Sequence, residues 1–100
     1  MTGKQKSFLR GVAHDMQPII QIGKNLITDT VLETVDKALT ARELIKISVL
    51  QNCIAEPKDV ANALAEHTDA TVIQVIGRTI ILFKQAPDVK NREISNRIPR

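Results

Sequence analysis

The chain contains no tryptophan and no tyrosine, and its only aromatic side chains are Phe8 and Phe83. Both fall in apolar patterns and are expected in the core, so a ligand-stacking platform of exposed rings is excluded. Cys53 is the single cysteine, which rules out a disulfide framework and a thiolate metal cluster. Its expected place is that of a small apolar residue. The two histidines, His14 and His67, stand at no metal-ligand spacing with each other or with the acids. There is no Gly-x-Ser-x-Gly elbow, no phosphate-binding Walker loop and no Gly-x-Gly-x-x-Gly. Asp29, Glu33 and Asp36 share one side of a helical pattern, as solvating residues do. Nothing in this set supports a catalytic residue, a metal site, a cofactor or a small-molecule substrate.

Long apolar runs are also missing. The longest, Thr79 to Phe83, has strand length and falls far short of the roughly 20 residues a membrane helix needs. The first residues lack the apolar core of a signal peptide. A cytoplasmic protein with no membrane partner is expected. The length of 100 residues suits one domain with a small core.

What is present is an uneven distribution of charge. The net charge is +3, and residues 1–10 carry Lys4, Lys6 and Arg10 with no acid. Residues 88–100 carry Lys90, Arg92, Arg97 and Arg100 against Asp88 and Glu93, whereas the middle is slightly acidic. Basic ends on a neutral body suit a polyanionic partner.

Periodicity divides the chain into seven elements. Phe8, Leu9, Val12 and Ala13 predict a helix over 4–14, with Lys6, Arg10 and His14 as a ridge on its other side. Residues 18–22 read as a short strand with Pro18 at its start. Val31, Leu32, Val35, Ala38 and Leu39 predict a helix over 29–41, capped either by Thr28 or by a Thr30–Glu33 box. Residues 43–50 alternate as a strand, with Ile45, Ile47 and Val49 pointing one way and Lys46 and Ser48 the other. Glu56-Pro57 opens a third helix carrying Val60, Ala61, Leu64 and Ala65. Two strands, 71–76 and 79–84, flank Gly77-Arg78, a two-residue hairpin turn with glycine first. The order α-β-α-β-α-β-β implies an α/β fold, a small two-layer sandwich on a four-stranded mixed sheet. Residues 1–86 form the domain and 87–100 a basic C-terminal tail. Three courses are open for that tail: disorder until contact, a solubilising role, or folding back through Ile94 and Ile98.

The loop Gly23-Lys24-Asn25 carries the most chemistry. It leads from a strand into a helix and offers backbone N–H groups, a mobile cation and a neutral donor to an anion. The same residues occur in turns for geometry alone. Four segments, in order, resemble the CRM domain (chloroplast RNA splicing and ribosome maturation). They are Lys4 to Arg10 with Ala13-His14, Ile22 to Asn25, Glu43 to Ile47, and Gln74 to Phe83. The resemblance covers nearly the whole chain and is to the stand-alone bacterial form.

The resemblance implies a fold similar to the C-terminal domain of translation initiation factor three, with the last strand antiparallel to the others. It implies binding to structured RNA, with precursors of the large ribosomal subunit as partners. The family's Gly-x-x-Gly loop falls on Gly23 to Leu26, so Leu26 stands where the second glycine belongs. Leucine disfavours a positive φ and is bulky. Either the loop is rearranged, or Leu26 packs inward and Gly23, Lys24 and Asn25 bind.

The candidate RNA surface is therefore Lys4, Lys6, Arg10 and His14 on the first helix, Gly23, Lys24 and Asn25 in the loop, and Arg78 in the hairpin turn. Lys46 is a further candidate on the outward side of the second strand. Such groups contact phosphates and 2′-hydroxyls and read shape more than sequence. A monomer is expected. Two other readings are a KH-like nucleic-acid module, whose glycine loop joins two helices, and an adaptor that binds an assembly factor or ribosomal protein through a sheet edge.

Overall fold

The computed structural model describes residues 1–100. Helix α1 spans Gly3–Ala13, strand β1 Ile20–Ile22, helix α2 Asp29–Arg42 and strand β2 Leu44–Val49. Helix α3 spans Pro57–Thr68, strand β3 Thr71–Ile76 and strand β4 Thr79–Phe83. Two short 3-10 turns follow, at Val89–Asn91 and Ser95–Arg97.

Local chemistry sets the helix ends. Thr2 caps α1 in a reciprocal box: its hydroxyl accepts from the Gln5 N–H at 3.1 Å, and the Gln5 side chain accepts from the Thr2 N–H at 2.9 Å. At α2 the cap is Thr28, which accepts from the Val31 N–H at 3.1 Å, so Thr30 lies inside the helix. Pro57 occupies the first turn of α3, where its missing N–H costs nothing. Asp69 ends that helix in the left-handed region, which aspartate tolerates.

The strands lie in the order β1-β2-β4-β3. β1 pairs with β2 in parallel, and β4 runs antiparallel to β2 and to β3. The last strand is thus the reversed one, as the resemblance implied. Gly77, at φ 55, supplies the turn between β3 and β4.

Alternation along the strands loads both faces of the sheet. Ile45, Ile47 and Val49 of β2, with Ile80 and Leu82 of β4, meet Val35 and Leu39 of α2 and Val60, Ala61 and Leu64 of α3. Leu44, Ile73, Ile81 and Phe83 on the other face meet Leu9 and Ala13 of α1. The two-layer sandwich expected from the sequence describes the α2–α3 side. The second face is covered as well, because α1 lies opposite the other two helices.

The C-terminal segment takes the third of its open courses. Ile94 and Ile98 pack against the α1-side cluster. Arg97 lies over the Phe8 ring at 5.8 Å, and the Gln5 amide donates to the Pro99 carbonyl at 3.2 Å. Glu43 fastens the segment from beneath, accepting from the backbone N–H groups of Ala86 and Ser95 at 2.9 Å each.

Candidate nucleic-acid interface

The outer face of the sheet changes character along its strands. In β2 it runs Leu44, Lys46, Ser48; in β4 it runs Phe83, Ile81, Thr79. The apolar half is covered by α1 and the C-terminal segment, and the polar half stays open. A groove of about 300 Å³ lies there, between the last turn of α1 and the sheet. Arg10, His14 and Lys46 line it together with Gln74, Ile76 and Thr79. Three of the expected site residues, from two elements far apart in sequence, therefore converge. The Lys46 ammonium also donates to the His14 carbonyl at 3.4 Å, which ties the end of α1 to β2.

The other candidates take different places. Lys6 is half-buried and stands one turn before Arg10 on the same ridge. Lys4 is exposed and displaced around the helix from that ridge. Gly23, Lys24 and Asn25 follow β1 directly, at the end of the sheet where β2 and β3 also finish. The Leu26 N–H donates to the Gly23 carbonyl at 3.0 Å, closing a turn that leaves Lys24 and Asn25 exposed at its tip. A side chain at Gly23 would come within 3.2 Å of the Asn52 side-chain oxygen, so glycine permits the close approach of the β2–α3 loop.

Leu26 takes the second of the two alternatives left by its replacement of glycine, packing inward without rearranging the loop. Its φ is 56°, in the left-handed region that a glycine would fill without strain. Its side chain packs against the α2–α3 core. The loop keeps a turn at this point, and burial of the leucine offsets a backbone cost of about 1–2 kcal/mol.

Arg78 is differently employed. Its guanidinium donates to the carbonyls of Val49 at 3.0 Å and Leu50 at 2.8 Å, fastening the hairpin turn to the end of β2. Similar use is made of Lys84, whose ammonium donates to the Thr68 carbonyl at 2.8 Å, and of Arg92, which donates to the Ala86 carbonyl at 2.8 Å. The side chains of Arg10 and Lys24 make no hydrogen bond or ion pair within the chain and remain available to an external anion. On the far side, α2 and α3 carry Asp29, Glu33, Asp36, Asp59 and Glu66 against Lys37, Arg42 and Lys58. Basic and acidic surfaces thus lie on opposite sides of the sheet.

Gln74 and Thr79 are groove residues that the sequence reading missed. Both sit in strands whose alternation gave no reason to single them out. The glycine loop follows a strand and not a helix, which separates this arrangement from a KH module.

A four-stranded mixed sheet with helices on both faces and one cationic side defines a small α/β domain suited to a polyanion. The chain belongs to the CRS1 / YhbY (CRM) domain family, whose sequence model matches residues 1–84. It is 47% identical over 94 residues to "Probable RNA-binding protein YqeI" of Bacillus subtilis, covering 94% of this chain and 98% of that one. It is 33% identical over 90 residues to an "RNA-binding protein" of Haemophilus influenzae, covering 90% and 91%. The solution structure of the hypothetical protein SAV1595 from Staphylococcus aureus superposes with a TM-score of 0.78 at 40% identity, covering 99% of both chains.

Proposed function

We propose that the chain binds structured RNA, and that the α1 side of the sheet is the binding face. The observation that carries this reading is the convergence of Arg10, His14 and Lys46 on one open groove, with Lys24 exposed in the turn after β1. The similarity to the Bacillus and Haemophilus relatives, which are named as RNA-binding proteins, supports an RNA partner. Contacts from these groups go to phosphates and sugar hydroxyls, which gives affinity and shape selection. Arg78 contributes by holding the hairpin turn in place.

The RNA we propose is ribosomal, within precursors of the large subunit, and the chain acts there as a cytoplasmic assembly factor, a monomer without catalytic activity. Family membership supports this reading. No helix is long and apolar enough to cross a membrane. Sedimentation of tagged protein from a lysate tests it. Co-migration with large-subunit particles, lost at high salt and after ribonuclease, is expected. Protein that stays at the top of the gradient at every salt contradicts the ribosomal reading, and association that survives ribonuclease points to an adaptor with a protein partner.

A further inference from the structure

The groove between α1 and the sheet contains more than cations. Gln74 and Thr79 present an amide and a hydroxyl to it, and neither side chain makes a hydrogen bond within the chain. Ile76, an apolar residue that is 61% exposed, stands in the lining with nothing covering it. A surface that only neutralised phosphates would need neither a free amide nor an uncovered isoleucine.

The position of Gln74 results from a defect in the sheet. β3 and β4 pair regularly at Val72↔Leu82 and again at Gln74↔Ile81, with a register shift between them that leaves Ile73 without a partner. In regular alternation, Gln74 would share the face of Val72, which packs on the α2–α3 core. The bulge puts Ile73 and Gln74 on the same side in succession. Ile73 is buried in the α1-side cluster, and Gln74 lines the groove. Bulges re-aim side chains in this way and recur beside binding sites. Val75 then returns to the α2–α3 side, so both cores stay filled.

We propose that this groove is a nucleotide subsite that takes one unstacked RNA nucleotide. Its phosphate lies against Arg10, His14 and Lys46, its base edge meets the Gln74 amide and the Thr79 hydroxyl, and its base face rests on Ile76. The volume, about 300 Å³, lies at the lower end of the range for small-ligand pockets, a size that suits one nucleotide and not a duplex. An amide offers one donor and one acceptor side by side, the match for the N6 and N7 positions of adenine. Bases in bulges and loops present those edges, whereas bases in a paired A-form stem do not. The substrate class is therefore structured RNA carrying an unpaired nucleotide beside a helix. This rests on the RNA-binding reading above and adds to it a preference that phosphate contacts cannot supply.

The test uses two labelled RNA hairpins of equal length closed by the same loop of uridines, which lack the N6 and N7 edge of adenine, one with a fully paired stem and one with a single unpaired adenosine in the stem, titrated at one salt concentration. The intact chain is expected to bind the bulged hairpin about tenfold more tightly. Gln74→Leu is expected to abolish that preference, weakening binding of the bulged hairpin by about tenfold and of the paired hairpin by much less. Amide chemical-shift changes give a readout that needs no variant: the bulged hairpin, and not the paired one, is expected to shift Gln74, Ile76 and Thr79. Equal affinity for the two hairpins, or shifts confined to α1 and residues 23–25, overturns the nucleotide subsite and leaves RNA binding standing. Failure to bind either hairpin overturns both.

Discussion

The carboxylate of Glu43, fully buried at the end of α2, accepts hydrogen bonds from the backbone N–H and the hydroxyl of Ser95. It also accepts from the Ala86 N–H, and no basic side chain is near enough to pair with it. Glu43 itself has φ 68°, so the chain tolerates left-handed strain to place this side chain inward. Glu43→Ala strands two amide donors, each costing about 1–3 kcal/mol when unsatisfied. A fall in unfolding free energy of about 2–6 kcal/mol is expected from urea titration. Ser95→Ala, which removes one of three donors, is expected to cost about 1 kcal/mol. Equal stability of Glu43→Ala and the parent would contradict the latch.

Leu26 sets strain against packing. Leu26→Gly removes a left-handed penalty of about 1–2 kcal/mol and also removes a packed side chain worth about 1.5–3 kcal/mol. A net loss of about 1 kcal/mol in stability is expected, with RNA affinity unchanged or improved. A large loss of affinity in a folded variant would make Leu26 a contact.

Lys24 stands at the tip of an exposed turn with no partner in the chain. Lys24→Glu is expected to weaken RNA binding across sequences and to lower the salt slope by about one unit. An unchanged affinity at low salt removes Lys24 from the interface.

Arg78→Ala frees the carbonyls of Val49 and Leu50 and is expected to cost about 1–3 kcal/mol in thermal unfolding. Arg78→Lys is expected to restore only part of that, since an ammonium cannot hold both carbonyls in the same fork.

Much of the fold was legible because period and punctuation agree. The alternation of Ile45, Ile47 and Val49 against Lys46 and Ser48 gave β2 and its two faces, and Gly77-Arg78 gave the hairpin. The second covered face was less legible. Leu44, Ile81 and Phe83 belong to it, yet they occupy only the first half of β2 and the last half of β4. The fold-back of the C-terminal segment is not legible in the sequence because its anchor, Glu43, is an acid, a residue type usually found at a surface. The ridge of Lys6, Arg10 and His14 follows from helical spacing. Its meeting with Lys46 depends on how α1 docks, and Gln74 depends on a bulge that breaks the pattern used to read strands. Arg78 has the composition of a binding residue, and only tertiary contacts reveal its structural task.

Two triple variants of equal charge test the central claim most directly. One replaces Arg10 and Lys46 of the groove and Lys24 of the turn after β1 by glutamine, and the other replaces Lys37, Arg42 and Lys58 on the α2–α3 side. Affinity for a structured RNA is then measured across a series of salt concentrations. The account predicts that the first variant loses at least about tenfold in affinity and two to three units of salt slope, roughly one per phosphate contact, whereas the second binds nearly as the parent does. Equal losses in both would mean that net charge alone attracts the RNA and that the α1 side of the sheet is not its binding face.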